Sequence, residues 1–294
     1  MKRTLFLIAA PLIAATASAE DIDRRLDADP DGQVYVYNLS GSVEVIGWSD
    51  NEVYVSGELG DDVDEFYFER DGDSIKIKVK VPDRSWGRKD VSSDLVIRVP
   101  TDSSVEVDTV SADIDIEGVN GELDLEAVSG DITAEVAASD VQIEAVSGDI
   151  DLTGDGSAID CDIENTSGDV TVDSIGGDID ITVVSGDIEV ADGTFSDGDL
   201  ETVNGQIEFN AALENGGRLD IESVNGGVEV EFTEEVGGRF EIETFNGRIR
   251  NCFGPEPERT SRYAPGWELE FEHGSGDSRV SIATLNGSVS LCID

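Results

Sequence analysis

The chain has 294 residues, with 66 Asp and Glu against 19 Lys and Arg, giving a formal net charge of −47, and it holds a single histidine. A field of that sign repels nucleic acid and anionic lipid, which argues against both as partners. One histidine excludes a multi-histidine metal centre.

The first stretch reads as a secretion signal rather than as structure. Lys2 and Arg3 form a basic start, residues 5–15 an apolar run, and Ala17-Ser18-Ala19 a cleavage site of the A-x-A type. Residues 1–19 are therefore assigned to a signal peptide, with no cysteine at the cleavage point to carry a lipid anchor. Its removal takes two bases and no acids, leaving 17 Lys and Arg against 66 Asp and Glu, a net charge of −49. No later stretch reaches the roughly 18 apolar residues of a membrane-spanning helix. The expected product is periplasmic or secreted.

Residues 20–109 form the next unit, β-rich but without a visible repeat. Strands are expected at 33–38, 42–46, 52–56, 63–69, 74–81 and 94–99, the clearest being Ile75-Lys76-Ile77-Lys78-Val79-Lys80-Val81 with its period of two. The segment is read as an N-terminal cap for the repeats beyond it, with Trp48 and Trp86 packed inside it.

From 110 to 294 one phrase recurs: apolar, Ser or Asn, Gly, acid, apolar, x, apolar. It appears as Val128-Ser129-Gly130-Asp131-Ile132, Val146-Ser147-Gly148-Asp149-Ile150 and Val184-Ser185-Gly186-Asp187-Ile188, and later with Asn at Asn204, Asn225, Asn246 and Asn286. The glycine slot falls at Ala112 and then Gly130, Gly148, Gly168, Gly186, Gly205, Gly226, Gly247 and Gly287, at intervals of 18, 18, 20, 18, 19, 21, 21 and 40. A period near 20 marks stacking of one repeated unit. A second, offset series of slots doubles the turns, so the predicted fold is all-β: a parallel β-solenoid with about 20 residues and two short strands per coil. After each glycine Ile188 and Val190 alternate with Asp187 and Glu189, which sends one set inward and the other into water. Glycine is expected at the corners for its access to positive φ, with Ser or Asn bonding the local turn backbone. Stacking aligns Asn204, Asn225, Asn246 and Asn286 in a ladder of amides. Burying four or five aliphatic side chains per coil contributes roughly 1.5–3 kcal/mol each. Like-charge neighbours outside cost only about 0.2–1 kcal/mol per pair, so stacking wins.

The last interval, twice the usual one, hides one coil's length of extra chain at 253–276, holding Pro255, Pro257, Pro265 and Trp267. That proline density predicts a loop, folded over the edge of the final coil. Cys252 and Cys292 each lie five residues after their glycine, so they hold equal positions in two coils and are expected to form a disulfide. Neighbouring coils lie about 4.8 Å apart, within the roughly 4.4–6.8 Å Cα range that a disulfide accepts. Cys161 follows the inward alternation and reads as a buried small hydrophobe.

Ser92-Ser93-Asp94-Leu95-Val96-Ile97-Arg98-Val99-Pro100, then Val105-Glu106-Val107 and the repeated Val-Ser-Gly-Asp-Ile, resemble the bacterial putative-adhesin family of β-strand-repeat proteins, a domain of unknown function of the 4097 type. Val43-Glu44-Val45-Ile46-Gly47-Trp48 is similar to the start of that family. The resemblance covers about residues 30–294 and implies an envelope-associated β-solenoid, with no catalytic residues to carry over.

No catalytic, cofactor or metal residue is singled out. His273 has no G-x-S-x-G elbow with it. Acid pairs such as Asp113/Asp115 and Asp149/Asp151 share the spacing used by glycoside-cleaving β-helices, yet here that spacing is simply the outer face of the repeat. The acids spread over all coils and read as a solvated face; weak divalent-cation binding is the other reading. The functional expectation is an exported, non-enzymatic envelope module that binds an envelope or surface partner, protein or glycan, through its stacked faces and the 253–276 element. The alternatives are a polysaccharide-acting β-helix enzyme and an acidic cation-binding repeat protein. Basic residues are scarce from 101 to 217, so an acidic glycan fits poorly.

Self-repulsion at −49 makes stability depend on screening. The melting temperature should rise between low and physiological salt, with calcium doing no better than sodium at matched ionic strength. A flat melting temperature contradicts the screening argument, and a calcium-specific rise assigns a site.

Overall fold

Alternation in the sequence becomes alternation in burial: Ile188 and Val190 are buried and Glu189 is exposed, and Val141, Ile143 and Ala145 are buried with Gln142 and Glu144 exposed. The computed structural model describes residues 20–82, 90–137, 140–261, 265–274 and 276–293. The signal-peptide assignment at 1–19 and Trp86 lie outside the described residues. Within them the chain is all-β, 23 strands joined in one sheet with no helix.

The strands fall into two rows. In the first, Val105, Leu123, Val141, Cys161, Ile179, Gly198 and Leu219 are successive parallel partners. In the second, Ile114, Ile132, Ile150, Val170, Ile188, Ile207 and Val228 succeed one another in the same way. The steps along either row match those between the glycine slots. One repeat period thus supplies a strand to each row, and we call it a rung. Cys161 faces inward between Val141 and Ile179, and burial pushes its thiol up to about 12.

Sequence order breaks at both ends. Leu219 and Val228 have Val280 and Val289 as their next neighbours, and these in turn pair with Phe240 and Ile249. The C-terminal rung is therefore inserted between two rungs that precede it in the chain. The 253–276 element differs from the expected loop: it holds strands Glu258–Arg259 and Trp267–His273, and the latter pairs antiparallel with Gly238–Thr244. Prolines 255, 257 and 265 sit outside these strands. After them the run Glu268-Leu269-Glu270-Phe271-Glu272 keeps a strand alternation, and an otherwise open sheet edge gives it a partner. Phe271 stacks on Phe240 at 4.6 Å between ring centres, ending a line of buried rings, Phe195, Phe209, Phe232 and Phe240, spaced 5.7, 6.1 and 6.4 Å apart.

At the other end Gln33–Trp48 is a complete rung, paired parallel with Ser104–Val119 through Val34 to Val105 and Val43 to Ile114. Ser74–Lys80 and Ser93–Pro100 pair parallel on its far side. Outside them lie antiparallel Glu65–Asp71 and Glu52–Leu59, and then Glu20–Asp27. The boundary drawn between 109 and 110 falls inside Ser104–Val119. The repeat in 33–48 is invisible by period because its partner strand begins only at Ser104, with Ser74–Lys80 and Ser93–Pro100 stacked on its other side.

The expected positive φ accounts for only half of the corner glycines. Gly130, Gly148, Gly168 and Gly186 do have positive φ, but Gly205, Gly226, Gly247 and Gly287 do not. What all eight share is close approach: a Cβ on any of them would overlap the carbonyl oxygen of the corner residue in the adjacent rung, as Gly226 meets Gly205 and Gly247 meets Gly287. Because Ile249–Asn251 runs beside Val289–Ile293, the equal offsets of Cys252 and Cys292 bring their Cα atoms to 4.9 Å, and the two are disulfide-bonded.

The acids just after the first glycines are not merely solvated. Asp113 accepts the Asp131 N–H at 3.1 Å, Asp131 that of Asp149 at 3.0 Å, Asp149 that of Asp169 at 2.9 Å, Asp169 that of Asp187 at 2.8 Å, and Asp187 that of Gln206 at 2.7 Å. Three variants separate inside from outside. Ile188→Asp, which places an unpaired charge in the core, should abolish cooperative unfolding. Asp187→Asn keeps an acceptor and sheds a charge, so it should be neutral. Asp187→Ala should cost about 1 kcal/mol by leaving the Gln206 N–H without this acceptor. Equal denaturation midpoints for all three refute the assignment.

Candidate binding groove

Most rungs approach their corner through four positions: an outward acid, a small buried residue, an outward apolar residue, and Ser or Asn. In the rung before Gly205 these are Glu201, Thr202, Val203 and Asn204. The strand alternation places the first and third side chains on either side of the second. Stacked in register, they make two walls and a floor running along the molecule.

The floor is Thr109, Ala127, Ala145, Asn165, Val183, Thr202, Ser223, Thr284 and Thr244, all buried. A small polar residue is favoured there because it reaches the corner carbonyls. Thr244 Oγ1 donates to the Gly287 carbonyl at 2.8 Å, Thr284 Oγ1 to that of Gly226 at 3.1 Å, and Asn165 Nδ2 to that of Gly148 at 3.0 Å. Ser223 Oγ is buried without a partner.

One wall is apolar. Val128, Val146, Val184, Val203, Val224, Leu285 and Phe245 are 40–51% exposed and follow one another along the edge, interrupted once by Thr166. The opposite wall is acidic, with Asp108, Glu126, Glu144, Glu164, Glu201, Glu222 and Glu243, and with Thr182 and Ala283 between them. The space between the walls forms a cleft of about 310 Å³ from Asp108 to Val184 and one of about 400 Å³ from Thr182 to the far end. The two share Thr182 and Val184, so they are one groove. Thr260 and Gly266, from the 253–276 element, line its far end. The apolar residue opening each repeat phrase was visible in the sequence. That it faces outward was not, because the inward position before it is held by a small polar residue such as Thr202 or Ser223, the reverse of the usual hydropathy pattern.

Beside the apolar wall the four asparagines form a chain of amides. Asn225 Nδ2 donates to Asn204 Oδ1 at 3.0 Å, Asn286 to Asn225 at 2.9 Å, and Asn246 to Asn286 at 2.8 Å. Their order, 204, 225, 286, 246, follows the inserted rung and not the sequence. Gly130, Gly148, Gly168, Gly186, Gly205, Gly226, Gly247 and Gly287 occupy the corner beneath this edge. The Asp ladder serves the rungs with Ser at the corner, and the Asn ladder those with Asn.

Partial burial, reinforced by neighbouring carboxylates, holds Glu106, Asp124, Glu126, Asp180, Asp199, Glu201 and Glu208 above ordinary carboxylate values. Of the acid pairs, Asp113 and Asp149 are engaged with backbone N–H groups as described, and their partners Asp115 and Asp151 lie on the same outer face. His273 packs edge-on against Phe253 at 5.1 Å, away from the groove. Among the described residues no three His, Cys, Asp or Glu side chains are grouped to hold a metal ion, and no helix is long and apolar enough to cross a membrane.

A model of the Toastrack DUF4097 family matches residues 33–291. Among solved structures, a putative adhesin from Bacteroides fragilis is similar at 12% identity and a TM-score of 0.43, over 95% of this chain and 99% of that one. A putative adhesin from Parabacteroides distasonis matches at 11% identity and a TM-score of 0.28, over 94% and 98%. A putative lipid binding protein from the same organism matches at 13% identity and 0.29, over 92% and 96%. No curated protein matches the chain.

The raised carboxyls fix the sign of a pH effect. They bind protons more readily folded than unfolded, so their contribution to stability falls as pH rises from the ordinary values of 3.8–4.5 through the raised ones. At constant ionic strength the melting temperature should therefore increase as pH is lowered from 7 towards 5. A melting temperature that declines over that interval contradicts this description of the acidic face.

Proposed function

This chain belongs to the Toastrack DUF4097 family, and we propose that it is an exported, non-enzymatic β-solenoid that serves the cell envelope as an adhesin-like interaction module. Its working surface is the groove. The paired rows are coils of one repeat period each, with antiparallel strands laid on both rows at the N-terminal end and on Gly238–Thr244 at the other. Export is supported by the signal-like residues 1–19 and by the Cys252–Cys292 pair, which suits an oxidising compartment, periplasmic or extracellular.

The observation that carries the proposal is the exposed apolar wall. Elsewhere the strand alternation buries aliphatic side chains almost completely, whereas seven large apolar residues stand 40–51% exposed in one line. An exposed apolar strip of this length is kept where a partner covers it. The wall runs beside the Asn ladder, on rungs fixed from both sides, so the groove is a rigid, preformed surface. Thr260 and Gly266 bring the 253–276 element to its end, where it limits how far a partner extends.

Co-sedimentation of the purified protein with isolated envelope fragments tests the proposal. Wild type should be retained, and the double variant Val203→Asp with Val224→Asp, both at exposed positions, should fall to background with an unchanged circular dichroism spectrum. Retention of that variant at the wild-type level refutes the groove as the working surface.

A further inference from the structure

The groove's two walls differ in chemistry, and that difference names an occupant. We infer that the groove is the docking site for a cationic amphipathic helix, about six turns long, that belongs to a partner protein. This rests on the groove being the working surface and specifies what it holds.

Charge complementarity comes first. Between residues 101 and 217 there are 31 Asp and Glu and no Lys or Arg, so this part of the acidic wall has no basic side chain of its own rungs to balance it. Glu126, Glu144 and Glu164 face Val128, Val146 and Thr166 across the floor, and Glu201 and Glu222 face Val203 and Val224. A partner that satisfies both walls carries an apolar strip flanked by cations. An anionic lipid is repelled by one wall, and a neutral acyl chain leaves it unused.

Spacing then chooses the conformation. Neighbouring rungs repeat about every 4.8 Å, and an extended peptide repeats its same-face side chains only every 6.4–6.8 Å or so. An α-helix repeats a face about every 5.4 Å. Over the seven rung steps of the groove, roughly 34 Å, a helix drifts by about 4 Å, less than one rung, whereas an extended chain drifts by about 11–14 Å, more than two rungs. The cleft volumes of about 310 and 400 Å³ suit a row of inserted side chains with the helix axis lying above the rim. The floor hydroxyls of Thr244 and Thr284 are already spent on corner carbonyls, so the floor has little to give an extended backbone seeking hydrogen bonds. From Val128 to Phe245 there are eight rungs, about 34 Å at 4.8 Å per step, the length of a helix of about 22 residues.

Labelled synthetic peptides of about 21 residues, the length of six helical turns, test this by fluorescence anisotropy at physiological salt. One has Leu at helical spacing with Lys elsewhere, the second has the same composition with Leu and Lys in strict alternation, and the third replaces every Lys of the first by Glu. The first should bind at least about tenfold more tightly than the second, and the third should not bind. Binding of the first should add a helical circular dichroism signal to the spectrum of this all-β protein. Glu201→Gln with Glu222→Gln, and separately Val203→Ser with Val224→Ser, should each weaken it about tenfold, while Asp151→Asn with Glu189→Gln on the other row should leave it unchanged. Equal binding of the first two peptides, or equal weakening by the off-groove pair, reduces the effect to bulk charge and overturns the inference. Sedimentation as a dimer that the groove variants dissociate, with no peptide bound, assigns the groove to a second copy and overturns it too. If envelope retention still depends on Val203 and Val224 while no helix binds, the occupant is wrong and the groove reading stands; loss of both dependences removes both.

Discussion

The close approach of one rung to the next at the glycine corner is the constraint on which the rest of the structure depends. A carbonyl oxygen lies where a side chain would begin at each of the eight corner glycines. That contact sets rung spacing at one fixed edge and leaves the polar groups around it to be satisfied from outside the strands. Three ladders do so: Asp113 to Asp187 accept backbone N–H groups, Asn204 to Asn246 bond one another, and buried Thr and Asn side chains bond the corner carbonyls. The buried position three before the glycine holds a small residue, and where it is Thr or Asn, as at Asn165, Thr244 and Thr284, it bonds a corner carbonyl from within. The strand alternation then puts the next side chain, an apolar one, on the outside. The groove follows from how the corner is built.

The two ends share one solution to a common problem. A stack of parallel strands leaves an open edge at each end. Here chain from elsewhere in the sequence lies against it: Ser74–Lys80 and Ser93–Pro100 stack outside Gln33–Trp48, the terminal rung lies inside 238–251, and Trp267–His273 pairs on the outer strand. Late chain therefore completes an early surface, which raises the sequence separation of contacts and favours slow closure. Cys252 and Cys292 join the inserted rung to its outer neighbour.

The charge has two distinct settings. In the Asp column a carboxylate meets a backbone donor in the adjacent rung, so each charge there is partly compensated by hydrogen bonding. On the first row's outer face Glu126 and Glu201 meet mainly other carboxylates. The same residue types therefore act as internal fasteners in one column and as an uncompensated field in the next. Only the second is available to a partner.

The repeat period, the inward positions and the equal offsets of Cys252 and Cys292 could all be read from the sequence, because each depends only on local alternation and on identical units stacking in register. The apolar residue of each phrase could be read as a residue but not as a wall. Val203 faces outward because the strand Ile188–Asn204 keeps its alternation past Leu200 and turns Thr202 inward, and hydropathy alone reads that Thr–Val pair the other way round. The strand at Trp267–His273 was masked by the three prolines that precede it, and the rung at 33–48 by the distance along the chain to its partner at Ser104–Val119. The order 204, 225, 286, 246 was settled by tertiary structure alone. Every rung has nearly the same repeat, so sequence makes them interchangeable, and only the competition for the open ends decides which lies beside which.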